Sequence, residues 1–213
     1  MPCVYYCNTM NHIINPKYLE SVDAIEYNSR LYEQNLDAIW NPGSSKSEYE
    51  IATNNIAKLF PYYLSVGATT KSLIAYRGCS FKGQEKQKFA KVMQAALRTG
   101  YLTFDTITQW TTIEKQAIMY ASKRGWQGGA YQLLLMMRVP AGIAISKSQY
   151  FSTVLEIPAE RDVELILPPG KFSIDIIGAA TPFVSYVPNT RYGINLQPHQ
   201  KVVDNITDLL LNS

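Results

Sequence analysis

The spacing of apolar residues changes once along this chain, at Lys71, and that change restricts the fold more than any other feature. Before it, "PKYLESVDAIEYNSRLYEQNLDAIW" sets Leu19, Val22, Ile25, Leu31, Leu36 and Ile39 at helical intervals. A polar turn, "NPGSSKS", follows at 41–47. Then "SEYEIATNNIAKLFPYYL" repeats the helical spacing through Ile51, Ile56, Leu59 and Phe60, until Pro61 disturbs it. From Lys71 onward the pattern is mostly extended. "KSLIAYRG", "YLTFDTITQWTT", "AYQLLLMMRV", "GIAIS", "VELIL", "KFSIDIIGAA" and "TPFVSYV" read as strands, rich in β-branched and aromatic residues. Two short helices interrupt them: "GQEKQKFAKVMQAALRTG", closed by Gly100, and "IEKQAIMYASKRG", with basic residues in its last turn. The tail "KVVDNITDLLLNS" reads as a terminal helix. Strands and helices do not alternate as in a doubly wound sheet, so the expectation is α+β. A helical segment over 1–70 packs on a core over 71–213.

Composition removes several kinds of chemistry. Across 213 residues, 46% are hydrophobic and 17% charged, which supplies a globular core. A net charge of +3 is too small to argue by itself for nucleic acid or an anionic membrane. No run approaches the ~18 apolar residues of a membrane span. The first twenty residues lack the pattern of a signal peptide, so a cytoplasmic location is expected, without a membrane partner. Three cysteines, Cys3, Cys7 and Cys79, have no framework spacing and fit a reducing compartment. The two histidines, His12 and His199, stand at opposite ends. That argues against a histidine-built metal site, and no metal is expected. It argues equally against a Ser/His/Asp triad, since neither lies near a nucleophile motif. Catalysis, if present, runs on carboxylates, arginine, hydroxyls and backbone.

Three segments carry such groups. In "LIAYRGCS", Arg77 and Gly78 close an apolar run; the plain reading is a strand surfacing into a turn, the functional one an arginine set for an anion. In "TQWTTIEKQAIMYA", Thr111 and Thr112 run into a helix, where Thr111 would ordinarily serve as a cap. In "RDVELILPPGKF", Asp162 and Glu164 are two apart on a strand, so both face one side. Two acids there could equally be a solvated edge.

Taken in order, Arg-Gly on a strand, aromatic-Thr-Thr before an alanine-bearing helix, and Asp-x-Glu before "LILPPGKF" resemble the mono-ADP-ribosyltransferase superfamily. Within it the chain is most similar to the arginine–serine/threonine–glutamate class, including the small host-modifying enzymes of T-even bacteriophages. The resemblance covers about Leu73 to Ile174. It implies a split β-sheet core behind N-terminal helices, NAD as co-substrate, and a host macromolecule as acceptor in the host cytoplasm. That acceptor would be foremost a protein arginine, with the transcription and translation machinery as candidate targets.

The resemblance also implies roles. Glu164 would grip a ribose hydroxyl and offset the positive charge that builds as the nicotinamide bond breaks. Arg77 would hold the NAD pyrophosphate, and the backbone of Gly78 would receive the nicotinamide amide. Thr111 and Thr112 would brace the glutamate, although Trp110 or Gln109 stands where the family's first serine lies. Tyr120 occupies the aromatic position of the following helix, a cofactor contact or a core residue. Arg124 and Trp126 lie in a loop placed like the family's phosphate–nicotinamide loop. Asp162 stands where arginine-modifying enzymes carry a glutamate that aligns or deprotonates the acceptor. It is shorter by one carbon–carbon bond, about 1.5 Å. Tyr150 and Phe151, in "SKSQYFSTVLEIPAER", fall in the target-recognition region. Alternatives are transfer to nucleic acid, attachment of NAD-capped RNA to protein, NAD hydrolysis, or a catalytically silent binding module.

Overall fold

The computed structural model describes residues 13–14, 35, 38–39, 45–121, 131–150, 163–180 and 185–186. Its strands are β1 (Ile13–Ile14), β2 (Leu73–Phe81), β3 (Tyr101–Phe104), β4 (Thr108–Thr111), β5 (Tyr131–Val139), β6 (Ile145–Ser146), β7 (Glu164–Leu167), β8 (Gly170–Ser173), β9 (Asp175–Ala180) and β10 (Ser185–Tyr186). Its longer helices are α1 (Lys46–Lys58), α2 (Phe60–Gly67), α3 (Lys86–Thr99) and α4 (Glu114–Ala121). The protein is α+β, with helices ahead of antiparallel strands. The segment "KFSIDIIGAA" forms two strands, because the chain leaves its extended path at Ile174, whose N–H donates to Gly100 O at 2.8 Å. The tail from Lys201 onward lies outside the described residues.

Two compact units are each assembled from separate stretches of chain. One gathers Met1–Leu73, Thr103–Thr112 and Arg138–Phe172; the other gathers Ile74–Leu102, Ile113–Met137 and Ser173–Ser213.

In the first unit α1 begins with a reciprocal cap. Ser45 Oγ accepts from Glu48 N at 3.2 Å, and the Glu48 carboxylate accepts from Ser45 N at 2.7 Å. The Ser45 side chain, then its backbone N–H, holds the Glu48 carboxyl below its ordinary value. The folded form therefore prefers the ionised acid. The cap's contribution is complete above pH 4.5 and fades as the pH falls through the lower folded value. Chemical-shift titration should show the amides of the first α1 turn weakening in acid, and Ser45→Ala should reduce that dependence, leaving the part carried by the backbone N–H of residue 45.

Pro61 does not simply end a helix, as the spacing suggests. Leu59 leaves helical geometry (φ −109°, ψ 16°), and Pro61 then occupies the first turn of α2, where a missing N–H costs little. The two helices bury Ile56, Phe60 and Tyr63 against Ile145, Tyr150 and Ile166. Gly67, at the end of α2, is held to its size by that packing, since an added Cβ would lie 2.9 Å from Tyr150 Cβ. The strands here run β6–β7–β4, all antiparallel, and β1 pairs antiparallel with β8.

In the second unit the strands run β10–β9–β5–β2. α3 buries Phe89, Ala90, Met93 and Ala96 along one stripe, and Phe89 stands between Phe81 and Tyr131. Gly100 closes α3 as expected, in the left-handed region (φ 68°), with its N–H on Ala96 O.

Candidate active site

The register of the first unit places Thr111 of β4 directly opposite Glu164 of β7. The ladder extends one residue further, where Thr112 N donates to Val163 O at 2.9 Å. On the other side of β7, Ile145 pairs with Ile166 and Ser146 with Leu165. Lys147, the next residue, therefore leaves β6 opposite Glu164. Its Nζ lies 3.0 Å from Glu164 Oε2. Opposed residues of an antiparallel pair share a face, so Thr111, Glu164 and Lys147 form one polar row across three neighbouring segments. The next row on that face is Gln109, Ile166 and Ile145, of which the two isoleucines are fully buried. A hydroxyl, a carboxylate and an ammonium thus terminate an apolar face.

Glu164 and Lys147 side chains keep 27% and 39% of their surface, so the pair is open to solvent and worth only about 0–1 kcal/mol to folding. That openness leaves the carboxylate within reach of a ligand. A carboxylate offers about four acceptor positions, and one ammonium does not fill them.

Thr111 is not the helix cap that its position suggests. It is the last residue of β4 and 5% exposed, whereas Ile113 O receives the first turn of α4 from Gln116 N and Ala117 N. The residues expected in place of the family's serine have separate duties. Trp110 is buried and donates to Thr108 Oγ1 at 2.9 Å, while Gln109 donates to Ile39 O. Thr111 is thus the hydroxyl that shares a rung with Glu164.

Arg77 and Gly78 lie in the second unit, mid-strand rather than at a strand end, because β2 continues to a buried Phe81 held by Phe89. Alternation sends Tyr76 and Gly78 to one face and Arg77 to the other. The Gly78 face is covered by α4. An added Cβ there would sit 1.9 Å from Ala117 O and 2.6 Å from Ala121 N. Gly78 is needed so that a helix can lie on the strand, a role the sequence reading did not assign. Tyr76, on the same face, has its phenol pushed above its usual range by burial and then by the Glu114 charge. Arg77 is partly exposed on the opposite face.

Two aromatic expectations change. Tyr150 is 1% exposed, with its ring centroid 6.0 Å from that of Tyr63, so it anchors the core and cannot present a target-recognition surface. Tyr120, for which core packing was one expectation, is 53% exposed on α4. Asp162, Arg124, Trp126 and Phe151 lie outside the described residues. Among the described residues no helix is long and apolar enough to cross a membrane, and no three His, Cys, Asp or Glu side chains gather as a metal site.

Sequence reasoning missed Lys147. Its signal was the Ser-x-x-Gln run at 146–149, which marks a helix start. Gln149 N donates to Ser146 Oγ at 3.3 Å. No protein-family model, curated protein or solved structure matches this chain.

Proposed function

We propose that the protein is a mono-ADP-ribosyltransferase that cleaves NAD between nicotinamide and ribose and transfers ADP-ribose to a protein arginine. One observation supports this reading above the others: Thr111 and Glu164, from two separate motifs of the resemblance, share a rung, and the acid stays open to a ligand.

Departure of neutral nicotinamide leaves an oxocarbenium-like ribose. A fixed carboxylate beside the ribose stabilises that charge more than it stabilises the ground state, in which the positive charge lies on the nicotinamide ring. Glu164 would accept a hydrogen bond from a ribose hydroxyl and face the growing cation. Arg77, a planar fork with fixed charge, is the proposed contact for the pyrophosphate. The acceptor's guanidinium nitrogen attacks the anomeric carbon and loses its proton, with Asp162 as the proposed base.

The test is incubation of the purified chain with biotinylated NAD and bacterial lysate, followed by mass spectrometry of labelled peptides. ADP-ribose on arginine is the expected result. Label on another side chain or on nucleic acid would replace the acceptor. Nicotinamide release without label would indicate hydrolysis, and NAD binding without turnover a silent module. In the same assay Arg77→Ala should raise the KM for NAD at least ~10-fold, the loss of a charge-assisted contact of roughly 1.5–3 kcal/mol.

A further inference from the structure

Lys147 is placed with more care than a surface lysine requires. Ser146 before it is fully buried and paired to Leu165, and Tyr150 three residues later is 1% exposed in the core. The backbone that launches the ammonium is therefore fixed on both sides. Residues 147–150 are helical, and Ser146 Oγ accepts from Gln149 N at the start of that turn. Lys147 thus occupies the first helical position, where the macrodipole disfavours a cation. Helix stability does not account for it. Its 3.0 Å contact with Glu164 does.

We infer that Lys147 is a positioning residue for the reaction. Its ammonium holds the Glu164 carboxylate through Oε2, fixes the plane of the acid, and turns the remaining lone pairs toward the sugar hydroxyl. Thr111 faces the same acid across the β4–β7 rung, on the same face of the sheet. The inference rests on the ADP-ribosyl transfer reading of Glu164. It adds a residue that the sequence motifs do not contain.

The experiment measures nicotinamide release from NAD by the wild-type chain and by the Lys147→Met, Lys147→Arg, Glu164→Gln and Lys147→Met/Glu164→Gln variants. Melting temperatures are read in parallel. Lys147→Met is expected to lower kcat about 10- to 10²-fold, as misplacement of a reacting group does. KM for NAD should stay within about twofold, because the proposed pyrophosphate contact is Arg77 and not this pair. Lys147→Arg should restore most of the rate, since it also donates to a carboxylate. Adding Lys147→Met to Glu164→Gln should cost little more, because the lysine acts through the acid.

An unchanged kcat in Lys147→Met, with Glu164→Gln inactive, would overturn the positioning role and leave the transferase reading standing. Full additivity of the two substitutions would overturn it too. A folded wild-type chain that leaves NAD intact would remove the transferase reading and this inference together.

Discussion

Replacing Glu164 by glutamine should lower the rate of NAD cleavage ~10²–10³-fold, the typical cost of losing one fixed electrostatic element aimed at the transition state. Glutamine keeps the size and can still meet a sugar hydroxyl. What it loses is the attraction to Lys147 and, on the proposed transferase reading, the negative charge opposite the developing ribose cation. Because the transition state is charged there and the ground state is not, the loss should fall on kcat more than on KM. The fold should survive. Glu164 heads β7, its side chain is partly exposed, and its ion pair with Lys147 is of the solvent-open kind. Initial rates of nicotinamide release, with a melting curve for each protein, check both halves of the prediction.

The second large effect concerns folding alone. Gly78→Ala drives a methyl group to 1.9 Å from Ala117 O, a backbone atom that cannot rotate away. Ala117 is fully buried and Ala121 nearly so, which means α4 is already seated as close to β2 as its small residues allow. The helix must lift. A destabilisation of about 3 kcal/mol is expected, the upper part of the range for overpacking. For a chain of this size that is roughly 6–12 °C in melting temperature. Gly83→Ala is the control, since an added Cβ there meets nothing within 4 Å. It should change stability by less than about 1 kcal/mol, in either direction. Equal melting of the Gly78→Ala and wild-type proteins would show that the close approach of helix and strand is not needed.

These two residues also mark how much of the molecule was legible beforehand. Period and end signals located the long elements well. α3 closes at Gly100, and β5 spans Tyr131–Val139, because stripes, caps and continuous apolar runs are local properties of the chain. Pro61 misled because a proline is compatible with a first helical turn as well as with a break, and only the Leu59 backbone decides between them. The sequence pattern ends β2 too early, because Arg77 and Gly78 look like a turn. Its continuation depends on Phe81 finding Phe89, a tertiary contact.

The candidate site was half legible. Thr111 and Glu164 could be picked out by type and order, but their shared rung is a matter of register, which no local signal carries. Lys147 was hidden for the same reason. It becomes meaningful only when Ile145 and Ser146 are known to pair with Ile166 and Leu165. Tyr150 failed in the opposite sense. A tyrosine beside a predicted loop suggests a surface contact, and only the apolar layer of α1 and α2 shows that it fills the core. The glycine of "YRG" joined a ligand argument in sequence, whereas Ala117 and Ala121 give it a packing reason that three-dimensional proximity alone exposes.

The most direct measurement is chromatographic: purified wild-type chain is incubated with NAD and lysate, and nicotinamide is quantified beside protein-linked ADP-ribose. The account predicts that both products accumulate together, in matching amounts, and that both form ~10²–10³-fold more slowly with the Glu164→Gln protein. NAD recovered intact from the folded wild-type chain would contradict it.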